Sequence, residues 1–135
     1  MTGHHKIFDA EFVPPLSSDT PLRFWDRSKH LSWLKAILVA ERIREVPKIL
    51  SKVRHHLDLW RLDPPNALTV RVWDELLGQG SEAVAARIVS LSPDGQLARD
   101  TMPPGVVLSE DEISACITER RRHEAEGLVV YGSDT

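Results

Sequence analysis

Few groups in this chain can do chemistry: six histidines, one cysteine and a run of three carboxylates. His55 and His56 are adjacent, so on a helix their rings point about 100° apart and cannot hold one ion together. Neither has an acid or a histidine four positions before it, and Asp58 is only two or three positions away. The histidines (His4, His5, His30, His55, His56 and His123) therefore read as partly exposed surface residues, and no metal ligand is assigned. Cys116 falls with Ile113 and Ile117 on the inner face of an expected last helix, which makes it a core thiol and not a nucleophile. Glu110, Asp111 and Glu112 stand at the expected start of that helix, where first-turn N–H groups account for them.

The familiar catalytic signatures do not occur. The sequence holds no Gly-x-Ser-x-Gly elbow, no phosphate loop, no dinucleotide glycine fingerprint and no His-Glu-x-x-His. Gly78-Gln79-Gly80 follows a helical pattern where a nucleotide loop would follow a strand. No catalytic residue, cofactor or small-molecule substrate is assigned, and the chain reads as a non-enzyme. Catalysis would need residues that the fold alone brings together.

With 135 residues, 41% hydrophobic and 27% charged, the chain is expected to form one globular domain burying roughly two thirds of its unfolded surface. A single cysteine excludes an internal disulfide framework and suits a reducing compartment. The longest apolar run, Ala36–Ala40, is far short of the ~20 residues of a membrane span. No apolar stretch after Met1–His5 suggests a signal peptide. A soluble, cytoplasmic protein without membrane contact is expected.

Charge divides the chain. Residues 22–62 carry ten Lys/Arg against four acids, +6, while 63–135 carry six Arg against thirteen acids, −7. Within the basic part, Ala36, Val39, Ile43, Val46, Leu50, Val53, Leu57 and Trp60 follow one 3–4–3–4 seam. Cations border both edges of it, as on a core helix whose long side chains cover its margins.

The elements that must carry these residues are mostly helices. Residues 1–21, with Pro14, Pro15 and Pro21, read as an extended arm whose Ile7, Phe8, Phe12 and Val13 can pack onto the body or onto a partner. Asp26 or Ser28 can cap a helical pattern that runs to about Leu62. Pro47 makes this either two helices, about 28–45 and 47–62, or one kinked helix. Asn66 caps a third helix, Gly78 stops it, and Gly80-Ser81 opens a fourth, giving a hairpin. Ser92-Pro93-Asp94-Gly95 and Met102-Pro103-Pro104-Gly105 signal turns. Ser109 with Glu112 makes a capping box for the last helix, which Gly127 ends. Leu128–Tyr131 can pair with Val106–Leu108 or pack as a tail.

Trp73-x-x-Leu76-Leu77-x-x-Gly80, Val84, Ser92-x-x-Gly95-x-Leu97 and Pro103-Pro104-Gly105-Val106-Val107-Leu108-Ser109-x-x-Glu112 together resemble small uncharacterised bacterial helical proteins. The resemblance covers 73–112. Pro104 and Ile113 stand where that group has a Phe and an Arg, and the group implies no activity and no catalytic residue. The Trp–Leu-Leu–Gly spacing is also similar to toxin-binding domains of some bacterial antitoxins.

The expected fold is mainly α: a single-domain bundle of four to five helices, a Pro/Gly-rich irregular segment before the last helix, and one short β pair. Residues 1–21 form the arm, 22–127 the helical domain and 128–135 the tail. The expected function is a non-catalytic protein–protein interaction or regulatory role through the basic surface about 42–61, with a protein partner or a second copy. Partner-binding residues are Trp25, Trp33, Arg42, Lys48, Lys52, Arg54 and Arg61, because Trp and Arg favour interface centres. The alternative is a nucleic-acid-binding regulator using the same cations. The 67–91 hairpin is not a DNA reader, since Asp74, Glu75 and Glu82 would repel phosphate.

Overall fold

The computed structural model describes Phe8 and residues 13–132. Among these residues it has six α-helices and one parallel two-stranded sheet, in the order β1 (Leu22–Phe24), α1 (Arg27–Glu45), α2 (Leu50–Trp60), α3 (Ala67–Gly78), α4 (Ser81–Val89), α5 (Pro93–Asp100), α6 (Glu110–Ala125) and β2 (Val129–Tyr131). The mainly α fold with one short β pair is thus as expected. No helix of the described residues is long and apolar enough to cross a membrane. The chain forms two compact units, residues 1–38 with 108–135 and residues 39–107. Helix α1 begins in the first and ends in the second.

In the first unit, Asp26 Oδ1 accepts from the Lys29 N–H at 2.9 Å and starts α1. The expected capping box starts α6: Ser109 Oγ accepts from Glu112 N–H at 3.1 Å, and Glu112 Oε1 accepts from Ser109 N–H at 2.8 Å. Gly127, at φ +70°, turns the chain out of α6. β2 then runs parallel to β1, with Leu22 opposite Val129 and Phe24 opposite Tyr131. This corrects the expected partner, Val106–Leu108; the three residues Leu22–Phe24 are too short to register as a strand before their partner is known. Phe8 is buried, as expected of an arm that packs onto the body; Ile7 and Phe12 lie outside the described residues.

Residues 33–40 of α1 are closed to solvent almost all round. Trp33, Leu34, Ala36, Ile37, Leu38, Val39 and Ala40 are all buried, as befits a helical stretch whose only polar side chain is Lys35. A seam on one face understates this. Trp33 therefore belongs to the core, which corrects its assignment as a partner anchor.

In the second unit, Pro47 breaks the helix instead of kinking it. Val46 takes φ −136°, ψ 75°, Pro47–Ile49 form one 3-10 turn, and α2 starts afresh. The seam pays a local penalty: Val46 is 41% exposed, whereas Val53 and Leu57 return to the core. Asn66 precedes α3 without capping it, because its amide donates to Asp63 Oδ2 at 2.9 Å. Gly80, at φ +100°, makes the turn expected of Gly78, which stays helical.

Ser92-Pro93-Asp94-Gly95 begins a helix where a turn was expected. Ser92 Oγ accepts from Gly95 N–H at 3.1 Å and Pro93 takes the first helical position. The buried Arg99 guanidinium of α5 donates to the Ile88 and Ser90 carbonyls at 3.0 and 2.6 Å. It satisfies end groups of α4 that have no helical partner.

Gly95 lies so close to Ser90 that an added Cβ would sit 2.1 Å from the Ser90 carbonyl oxygen. Alanine gains about 1 kcal/mol in helix propensity, less than the ~1–3 kcal/mol or more expected from forcing backbone apart in a packed site. Gly95→Ala is expected to lower stability by about 2 kcal/mol in urea unfolding; a neutral or stabilised variant would show that α5 is not held against Ser90.

Candidate functional site

The expected basic surface is divided by its own hydrogen bonds. Arg42 Nη1 donates to the Val107 carbonyl at 2.6 Å, and Arg44 pairs with Glu82 at 2.9 Å. On α2, Arg54, Asp58 and Arg61 share one stripe at i, i+4, i+7. Arg61 donates to Asp58 Oδ1 at 3.0 Å and to Asp74 Oδ1 on α3 at 2.6 Å. The hydrogen bond from Arg61 holds the Asp74 carboxyl below the usual range. Arg42 and Arg61 thus each hold a hydrogen bond within the unit, and Arg61 remains exposed.

The neighbouring stripe of α2 faces outward. Lys52 and His55 are exposed, and so are Leu59 (63%) and Leu62 (94%), the latter just past the helix end. Lys48, on the preceding 3-10 turn, and Arg54 are exposed as well. Trp25 is 69% exposed but belongs to the other unit. Lys48, Lys52, Arg54 and Arg61 are thus expected residues that lie exposed at α2 and its ends, Arg61 with its guanidinium on Asp74.

A second constellation in the first unit was not expected from the sequence. His30 of α1 lies between Tyr131 of β2 and His123 of α6: Nδ1 is 2.8 Å from Tyr131 Oη, and Nε2 is 3.0 Å from His123 Nδ1. His123 Nε2 is 3.0 Å from Glu119 Oε2. Tyr131 Oη donates to Glu124 Oε2 at 2.8 Å. Arginines close both ends, Arg27 on Glu124 at 2.9 Å and Arg122 on Glu119 at 2.7 Å. His30, Glu119 and His123 are buried to 1% exposure or less, and the Phe24 ring stacks on His30 at 4.8 Å between centroids.

The Tyr131 hydroxyl sets the direction of this chain. Four hydrogen bonds run from Glu124 to Glu119 through Tyr131, His30 and His123. Since Tyr131 donates to Glu124, His30 donates from Nδ1 to Tyr131 Oη and accepts at Nε2 from His123 Nδ1. Burial, then the charge of His123, push His30 down to about 3, which keeps it neutral. Burial, then the bond to Glu124, push the Tyr131 hydroxyl up and keep it protonated. Burial raises the Glu124 carboxyl, but the Tyr131 hydroxyl and the charges of Arg27 and Arg120 outweigh it and hold it low.

Such a chain can hold and position protons. Its histidines are closed to solvent, so no substrate atom reaches them in this conformation. Among the described residues, no three His, Cys, Asp or Glu side chains are grouped to hold a metal ion. Cys116 is buried, and burial pushes its thiol up to about 11, as for a core thiol. One signal for the buried chain was visible in the sequence: Glu119, Arg122 and His123 stand at i, i+3 and i+4. His30, 93 positions away, gives no local sign of its role.

His30 binds fewer protons folded than unfolded between pH 3 and 6.5, because its folded value lies below its free one. Its contribution is complete above pH 6.5 and is lost as pH falls through that window, by about 1.4 kcal/mol per pH unit. The stability of the wild type should therefore fall towards that of His30→Gln between pH 6 and 4 in urea titrations; parallel profiles would exclude His30 as the titrating group. Comparison with protein-family models, curated proteins and solved structures finds no match to this chain.

Proposed function

We propose that the protein is a non-catalytic interaction or regulatory protein that binds a partner protein through the outward stripe of α2. One observation carries this: Leu59 and Leu62 stand exposed on the same stripe as Lys52 and His55. Exposed leucines beside cations suit an acidic partner segment with apolar side chains of its own. Lys48 adds charge at the near end. A second copy of the chain can serve as that partner, since residues 63–135 carry a net −7.

Nucleic-acid binding is the second reading, favoured by Lys48, Lys52 and Arg54. Fewer cations remain for phosphate once Arg42, Arg44 and Arg61 are engaged within the unit, and the chain as a whole is acidic at −3. Leucines at the centre of the stripe also favour protein over phosphate.

Quantitative pull-down compares wild type with Leu59→Ser/Leu62→Ser and with Lys48→Glu/Lys52→Glu. Each pair is expected to weaken capture about tenfold, the scale of one or two interface anchors. Equal capture by both variants would rule out the stripe. A single-stranded oligonucleotide is expected to bind weakly at low and at moderate salt; tight binding that collapses with salt would favour the nucleic-acid reading instead.

A further inference from the structure

Beside the outward stripe, α2 and the segment before α6 enclose an open groove of about 430 Å³. That volume lies in the ~300–1,000 Å³ range of ligand sites. One wall is α2, with Ser51, Lys52, His55 and His56; the other is the segment Pro104, Gly105 and Val107. Gly105 makes this wall. It takes φ +146°, and an added Cβ would lie 2.8 Å from both Cγ2 and the backbone N of Val53, so only glycine lets the segment lie so close to α2.

Two features of the groove point to one kind of occupant. Among the described residues, the N–H groups of Gly105, Val106 and Val107 have no hydrogen-bond partner, so the segment is not tied into a sheet. The side chains on the facing wall are cationic or polar, with no acid among the lining residues. Val107, 81% exposed, offers an apolar contact at the rim. Free main-chain donors are the element used in adding an extended peptide to an open edge, and Lys52 opposite them favours an acidic one.

We propose that this groove receives an extended, acidic peptide segment of a partner protein. Its main-chain carbonyls accept from the unpaired N–H groups of Gly105 and Val107, the two residues of the segment that line the groove, and its carboxylates meet Lys52 and His55. Occupancy of the groove rests on the partner-binding reading of α2, and adds to it where the chain of the partner lies and that it is extended.

The test is an amide NMR titration of the full chain with a capped peptide of alternating Glu and Val. The controls are its Lys–Val counterpart and a single-stranded oligonucleotide. The Glu–Val peptide is expected to shift the amides of Gly105, Val106, Val107 and Lys52. Lys52→Glu/His55→Glu, exchanged at exposed positions, should weaken it about tenfold while leaving the rest of the spectrum unchanged. The proposal is overturned if these amides do not move at millimolar peptide, or if the Lys–Val peptide moves them equally. Shifts confined to Leu59 and Leu62 would overturn the groove and leave the partner-binding reading standing. Salt-sensitive oligonucleotide binding in place of peptide binding would overturn both.

Discussion

The buried chain of hydrogen bonds from Glu124 to Glu119 is the constraint on which the first unit depends. Without it, the side chains of His30, His123 and Glu119 would stand as unpartnered polar groups at a site closed to solvent. With it, each buried polar atom between Glu124 and Glu119 has a partner, and Arg27 and Arg122 balance the two ends. Four elements meet in this one chain of bonds: α1 supplies His30, α6 supplies His123 and Glu119, β2 supplies Tyr131, and β1 supplies the Phe24 ring over His30. Apolar burial around Trp33 and Cys116 provides the driving force, but it is non-directional. The hydrogen-bonded chain sets which strand lies beside which helix.

The second unit is held by apolar packing, with polar groups at helix ends. Trp73 donates from its indole to Thr101 Oγ1 at 3.1 Å, and Arg99 caps α4 from within α5. Its surface consequently differs from one side of α2 to the other. Arg61 binds Asp74 of α3, and the Lys52 stripe faces solvent. A single count of cations on a segment conceals that division, because net charge is insensitive to which face each residue occupies.

Local signals were legible wherever both partners of an interaction lie within one turn. The Ser109–Glu112 box, the Asp26 start and the Gly127 stop all appear where the sequence places them. Ser92-Pro93 was legible as a chain reversal but not as a helix start, since the same residues suit both and only the following turns decide. For Leu128–Tyr131 the sequence left strand pairing and packing as a tail both open, because three residues carry no readable alternation. The seam identified Val53 and Leu57 correctly and misjudged Val46, whose backbone Pro47 moves out of the helix. His30 was illegible because its hydrogen-bond partners, Tyr131 and His123, lie 101 and 93 positions away, and local spacing says nothing about such neighbours.

The first unit is discontinuous, and this bears on the order in which the chain can fold. Bringing His30 to His123 closes a loop of 93 positions, at an entropic cost of about 4 kcal/mol if the intervening chain is a coil. Residues 39–107 form a unit of their own, built from helices joined by short links. Once they have collapsed, the effective loop is far shorter, and the halves of the first unit meet at less cost. The inserted unit would work as a splint only if residues 39–107 fold first; damage to α2–α5 would then be felt as slower assembly of a site those helices do not contain.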